Sequence, residues 1–335
     1  MSFEDFLSRL DPKDAREIKT ADKVETIRFP LASRRLTYAL KGGIGAGRIT
    51  TIYGNTSAGK TLLTLQTIAL LQSMGKVCGF LDVEGTFDEE FARKLGVNTS
   101  ELVLDGSKSS VKVEKKARSW IRAGIDFVGI DSISDVMPEV HVDEKTGALS
   151  ENRKQLGAHA KAITSLIHGI HYDNEKTAVV LLSQTTTKIE QTYTKQVPHG
   201  GQRVFFDSST MIRLTSSNTD AKQHKGIVQI GNSKVEVPIG RKVEAFVEKN
   251  KIGPQHRTAS YDIYYDGPNL GIDKVGELVD LGLDFAILEK GGAWYKLDAD
   301  RRWQGRDALI SAIKEDPDLE IELESKLNEA MYGGQ

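Results

Sequence analysis

The chain has 335 residues, 39% hydrophobic and 27% charged, with a net charge of −2; this excludes a disordered or fibrous protein and allows one large core with small flanking modules. A single cysteine, Cys78, excludes an intramolecular disulfide framework and fits a reducing cytoplasm. No run approaches the roughly 18 apolar residues of a membrane span, and the opening residues do not read as a signal peptide, so a cytoplasmic chain with no membrane partner is expected.

The chain opens on an amphipathic helix: Ser2 and Asp5 have the spacing of a capping pair, and Phe3, Phe6, Leu7 and Leu10 follow helical periodicity. The rest of residues 1–35 is polar and weakly patterned, and reads as an N-terminal arm. From Gly47 strand-like and helical runs alternate. Strands are predicted at 48–53, 76–82, 127–131 and 177–183, and helices at 60–73, 89–95, 111–123 and 155–169. Strands parted by helices imply crossovers and a twisted, mostly parallel sheet. Cys78 sits in the apolar run 77–81, where a buried, inert thiol is expected. After Met211 the pattern turns β-rich, with turn signals at Gly231-Asn232 and Pro238-Ile239-Gly240, which predicts an antiparallel extension of the same sheet. From Glu289 a compact tail carries Trp294, Tyr295 and Trp303 and then two short helices, the last striped by Leu319, Leu323, Leu327 and Ala330. The expected partition is an arm at 1–35, an α/β core at 36–265 and a small α+β module at 266–335.

Gly54-Asn55-Thr56-Ser57-Ala58-Gly59-Lys60-Thr61 matches G-x-x-x-x-G-K-[ST] in full, between a predicted strand and a predicted helix. Loop and helix N–H groups at such a junction surround phosphate oxygens. Lys60 would reach the β and γ phosphates of ATP, and the Thr61 hydroxyl would ligate Mg²⁺. Asp131 ends a buried strand at the ligand edge of a parallel sheet, where a Walker B carboxylate would help hold the magnesium. Hydrolysis also needs a group to orient the attacking water. Glu84 ends the strand after the P-loop helix, and Asp82 competes for the role two residues earlier.

Beyond the P-loop, several stretches are similar to the RecA recombinase family. They are 47–54, 91–97, Lys249-Asn250-Lys251, 276–282, 289–295, Trp303-Gln304-Gly305-Arg306 and 315–319. The later ones have no part in general ATP binding. The resemblance implies a RecA-type ATPase core with an N-terminal polymerisation helix and a small C-terminal module. It assigns the catalytic glutamate to Glu84, adenine contacts to Asp88 and Phe91, and γ-phosphate sensing to Gln184. Lys249 and Lys251 match the pair that reaches the neighbouring subunit's ATP. Residues 138–157, with a turn at Lys145-Thr146-Gly147, correspond to a first DNA loop, followed by Lys161 in place of a phosphate-contacting arginine. Thr185 to Arg203 corresponds to a second, long polar loop, with Thr185, Lys188, Tyr193, Lys195, Gly200, Gly201 and Arg203 as DNA contacts.

The activity so implied is DNA-stimulated ATP hydrolysis by helical filaments on single-stranded DNA, which pair with homologous duplex and exchange strands. Single-strand-binding or mediator proteins would be further partners. The P-loop has Asn-Thr-Ser-Ala where Pro-Glu-Ser-Ser is usual, the first DNA loop is not of the acidic type, and the acidic C-terminal extension has no counterpart. These departures suggest a phage- or plasmid-encoded member. The rivals are a ring-forming helicase on the same core and a non-catalytic mediator paralogue. Intact Lys60, Thr61, Glu84 and Asp131 argue against the latter.

Overall fold

The computed structural model describes residues 2–11, 13–14, 26–138, 157–189, 194–200, 202–216, 223–230, 233–265, 267 and 269–333. Helix α1 (Phe3–Leu7) begins with a reciprocal capping box, in which the Ser2 hydroxyl accepts the Asp5 N–H and the Asp5 carboxylate accepts the Ser2 N–H. It is shorter than the periodicity predicts: Leu10 lies beyond its end. No α1 residue is buried, and Phe3 and Phe6 remain 52% and 42% exposed. β1 (Arg28–Phe29) and β2 (Ile44–Gly45) pair antiparallel around α2 (Arg34–Ala39). Phe29, Leu31, Leu36, Leu40 and Ile44 from this segment are buried in the main core.

The central sheet is built from β3 (Arg48–Gly54), β4 (Cys78–Asp82), β5 (Val103–Asp105), β6 (Phe127–Asp131), β7 (Ala178–Ile189), β9 (Thr210–Ser216), β11 (Ser233–Asn250), β12 (Thr258–Tyr264) and β13 (Gly271–Ile272). Their order is β13-β12-β11-β9-β3-β7-β6-β4-β5, with β8 (Thr194–Pro198) paired to β7 and β10 (Gln223–Ile230) to β11. From β9 to β5 every pairing is parallel; beyond β9 the sheet continues antiparallel, as the β-rich pattern predicts. The helices between these strands are α3 (Lys60–Ser73), α4 (Glu89–Lys94), α5 (Ser110–Arg122), α6 (Ala158–Asp173) and α7 (Gln202–Asp207).

Both faces of the sheet are covered, and successive strand residues alternate between them. In β7, Ala178, Val180 and Leu182 join one apolar cluster with α3, while Val179 and Leu181 join another with α5 and α6. That is why these strands read as unbroken apolar runs. Cys78 lies in the first cluster, and burial pushes its thiol up to about 12, as an inert thiol requires.

Pro238-Ile239-Gly240 lies inside β11, not in a turn. His224 pairs with Gly240 and Lys225 with Pro238, which leaves Ile239 as the extra residue of a bulge. Proline has no N–H to donate to the ladder, so the register slips where it stands. The hairpin itself closes at Ile230 and Ser233, and residues 231–232 lie outside the described ones.

The tail comprises α8 (Lys274–Asp284), the small sheet β14 (Glu289–Gly291), β15 (Trp294–Lys296) and β16 (Arg302–Gln304), then α9 (Arg306–Glu315) and α10 (Pro317–Tyr332). Its own core includes Leu278, Leu281, Tyr295, Leu309 and Ile313 with Leu319, Leu323, Leu327 and Met331 of α10. Ala330, predicted in that stripe, is exposed; strict four-residue steps bring Met331 onto the face instead. Buried Glu277 of α8 fastens this unit to α2. Its carboxylate accepts the Ser33 hydroxyl and the N–H groups of Arg34 (2.8 Å) and Arg35 (3.1 Å). Among the described residues no helix is long and apolar enough to cross a membrane.

Candidate nucleotide site and nucleic-acid interface

The loop after β3 starts at a glycine for a steric reason. A Cβ on Gly54 would lie 2.3 Å from the Leu214 carbonyl oxygen of neighbouring β9. Ser57 (φ 61°) and Gly59 (φ 89°) then take left-handed conformations that turn the chain into α3. Gly59 is the N-cap and supplies no side-chain hydrogen bond, so the first-turn N–H groups of this 14-residue helix are left for an anion. The Lys60 ammonium folds back to donate to the Gly54 and Asn55 carbonyls, both at 3.0 Å. Burial lowers its proton affinity, against the pull of Asp131 and Glu84.

Thr61 donates its hydroxyl to Asp131 Oδ2 at 2.5 Å. Asp131 is only 3% exposed. Burial pushes its carboxyl up to about 6; Thr61 and Lys60 oppose that rise, and Glu84 and Asp82 add to it. Asp82 pairs with Asp131 in the β4–β6 register, so both stand at one edge of the sheet. Yet Asp82 is occupied: its carboxylate accepts the N–H groups of Gly85 (2.9 Å), Thr86 (3.1 Å) and Phe87 (2.9 Å). Glu84 is exposed, its N–H donates to the Asp131 carbonyl at 3.0 Å, and its carboxylate has no hydrogen-bond partner among the described residues. Of the two acids, Glu84 is the one left to act on a ligand.

Asp88 caps α4 by accepting the Phe91 N–H at 2.9 Å. Phe91 lines a shallow cavity of about 300 Å³ with Ser57 to Leu62, Arg241, Ile263 and Tyr265. Arg241 stands 4.9 Å above the Tyr265 ring. Sequence reasoning missed both residues. They come from β11 and the end of β12, and only the sheet topology brings them to the P-loop.

Gln184 ends the buried part of β7 as the register partner of Gly54. Its N–H donates to Ser134 Oγ at 3.0 Å, and its carbonyl accepts the His199 N–H at 2.9 Å. The Thr185 hydroxyl is hydrogen-bonded to the Asn55 side chain of the P-loop. Instead of an irregular loop, β7 continues to Ile189 and pairs with β8 as a hairpin arm. Thr185, Thr186, Thr187, Ile189, Thr194 and Val197 are β-branched, and they favour strands despite the polar composition. The backbones of Lys188 and Lys195 are register partners in this arm. Tyr193 and Gly201 lie outside the described residues, as do 139–156 of the first DNA segment, including Lys145 to Gly147.

Gly200 has φ 106°, and Lys161 is exposed on the first turn of α6. The Arg203 guanidinium is held by Asp207 (2.5 Å) and His168. Lys249 and Lys251 do not face their own P-loop. The Lys249 ammonium donates to the Phe205 and Phe206 carbonyls at the end of α7, and that of Lys251 to Phe206 at 3.4 Å. Burial, then the neighbouring Lys251 charge, lowers the proton affinity of Lys249, and Asp207 opposes them.

A glycine-rich strand–loop–helix, a buried acid on a nearby parallel strand and an exposed glutamate beside it define the P-loop class of nucleotide-binding α/β proteins. The family model described as RecA N-terminal domain matches residues 16–271, and that described as RecA C-terminal domain matches 276–332. The Protein RecA of Desulfovibrio desulfuricans is 33% identical over 309 residues, covering 90% of this chain and 80% of that protein. The Protein RecA of Bordetella petrii is 32% identical, covering 86% and 76%, and that of Solidesulfovibrio magneticus 33%, covering 90% and 81%. The chain belongs to the RecA family.

Proposed function

We propose that this protein is an ATP-dependent DNA recombinase that polymerises on single-stranded DNA, pairs it with homologous duplex and hydrolyses ATP in response to DNA. The observation that carries the reading is the joint between nucleotide loop and DNA arm: Gly54 pairs with Gln184, and Asn55 is hydrogen-bonded to Thr185. A change at the γ-phosphate therefore has a short covalent and hydrogen-bonded route to the arm.

The donor set suits a magnesium nucleotide. Asp131 is a buried carboxylate disfavoured by its surroundings, with a hydroxyl at 2.5 Å, and hard oxygen ligands of this kind hold Mg²⁺ together with phosphates. Thr61 and Asp131 would hold the ion, which would neutralise charge on the phosphate oxygens. Gly54, Asn55, Thr56, Ser57, Ala58 and Gly59 would surround the phosphates with backbone donors. Lys60 would exchange its two carbonyl partners for phosphate oxygens, and Asp88 and Phe91 would take the adenine. Glu84 would orient and deprotonate the attacking water. Lys249 and Lys251 would stabilise transition-state charge in the next subunit's site. Lys161, Thr185, Lys188, Tyr193, Lys195, Gly200, Gly201 and Arg203 would form the DNA face, for which Arg203 must leave Asp207. Domain limits at 1–35, 36–265 and 266–335, and a cytoplasmic location, belong to the same proposal.

Electron microscopy with single-stranded DNA and a slowly hydrolysed ATP analogue tests it. Extended helical filaments are expected; closed rings would overturn the reading.

A further inference from the structure

The ends of the two DNA-facing segments are joined by a closed circuit of four residues. Gln184 donates its N–H to Ser134 Oγ at 3.0 Å, and the Ser134 carbonyl contacts the His159 ring nitrogen Nε2 at 3.1 Å. The His159 ring stacks on His199 with centroids 4.7 Å apart and planes 26° from parallel. The His199 N–H then donates to the Gln184 carbonyl at 2.9 Å, which closes the circuit. Ser134 follows β6 and His159 lies in the first turn of α6, so they flank the segment expected to be the first DNA loop. Gln184 and His199 flank the hairpin arm.

We propose that the His159–His199 stack is a positioning clasp that ties both DNA-facing segments to the backbone of Gln184, and that protonation of the pair opens it. The inference rests on the recombinase reading and deepens it by adding a control on DNA coupling. Neutral imidazoles stack, whereas two imidazolium rings at this separation repel. Ser134 O requires a donor at His159 Nε2, so the neutral ring carries its proton there and both partners are satisfied.

Among the described residues, the charged and titratable groups acting on His159 are His199, after β8, and Asp135, after β6. Asp135 accepts the Ser132 hydroxyl at 2.5 Å. Burial first, then His199, holds His159 below the ordinary histidine range, against the Ser134 bond and Asp135. A depressed histidine keeps its neutral-state contribution above its unfolded value and loses it as pH falls through the folded one. The clasp is therefore closed at neutral pH and opens in mild acid.

The test compares the intact protein with His199→Phe and His159→Phe, each of which keeps a ring in the stack and removes one imidazole. Affinity for oligo-thymidylate, with a slowly hydrolysed ATP analogue, and DNA-stimulated ATP hydrolysis are measured at pH 7.5 and 5.5, with thermal melts to verify folding. Acidification is expected to weaken DNA binding by the natural protein several-fold more than by His199→Phe. Asp131 titrates alike in all three proteins and cancels in the comparison. Superimposable pH profiles for the natural protein and both folded variants would overturn the clasp while leaving the recombinase reading intact. Absence of DNA stimulation in the natural protein at pH 7.5 would overturn both.

Discussion

Asp131→Asn should stabilise the nucleotide-free protein at neutral pH while disabling it. The Asp131 carboxyl is 3% exposed and is raised from 3.8 to about 6, chiefly by burial. For a group raised on folding, the folded state holds its proton after the unfolded chain has lost it. Stability therefore falls between these two pH values and stays reduced above the higher one. A rise of that size corresponds to about 3 kcal/mol at pH 7.5. An amide stays neutral and can still accept the Thr61 hydroxyl through its oxygen, so the substitution should recover about 1–3 kcal/mol, or roughly 1–4 °C in Tm for a chain of this length. Thermal melts of both proteins without nucleotide, at pH 7.5 and pH 4, measure the gain and its pH dependence. The difference should shrink toward pH 4, where the natural carboxyl is protonated in the folded state. Adding magnesium and ATP at pH 7.5 should stabilise the natural protein more than the variant. A variant that melts lower at pH 7.5, or by the same margin at both pH values, would refute the reasoning that this carboxylate is held against its burial.

Glu84→Gln should retain nucleotide binding but lose roughly 10²–10⁴-fold in hydrolysis, read by ATP binding and single-turnover assays side by side. Lys188→Ala and Lys195→Ala should each reduce the slope of log affinity for single-stranded DNA against log salt by about 0.7, one phosphate contact apiece; unchanged slopes would move those contacts elsewhere. Glu277→Ala removes the shared acceptor of Ser33, Arg34 and Arg35 and should cost about 2–4 kcal/mol in urea melts, with folded protein still binding ATP.

The parallel half of the sheet was legible because burial on two faces forces apolar runs such as Val179 to Leu182. The P-loop was legible because backbone geometry restricts residue choice: a side chain at 54 would strike the Leu214 carbonyl. Composition misled where polar residues were also β-branched, as in Thr185 to Thr187, which extend β7 into a hairpin arm. It was silent where a site is assembled by topology. Arg241 and Tyr265 carry no motif, and they reach the P-loop only because β11 and β12 lie beyond β9 in the same sheet. Helix α2 escaped notice because its N-terminus is capped by Ser33 together with Glu277, a carboxylate distant in sequence. Residue pattern alone leaves Asp82 and Glu84 open; the family resemblance favours Glu84, and the three N–H groups bound to Asp82 agree with that choice.

Strand direction also argues for where Lys249 and Lys251 act. β9 runs parallel to β3, with Leu214 beside Gly54 and Met211 beside Thr51. β11 runs antiparallel to β9 and places Lys249 beside Met211. Lys249 is thus about 10 Å down the strand axis from the level of Gly54, and Lys251 continues away from it. The sheet carries the P-loop at one edge and the lysine pair toward the other, a polarity that suits head-to-tail association, in which one subunit completes the next. Mixing two inactive proteins tests this. Lys60→Ala lacks a working P-loop but keeps the lysine pair; the double variant Lys249→Ala/Lys251→Ala has the reverse defect. If the pair acts across the junction, equal random mixing restores intact junctions at about a quarter of the wild-type number, and DNA-stimulated hydrolysis should rise toward that fraction. If the pair serves its own subunit, no combination rebuilds a site, and a mixture no more active than its components would refute the assignment.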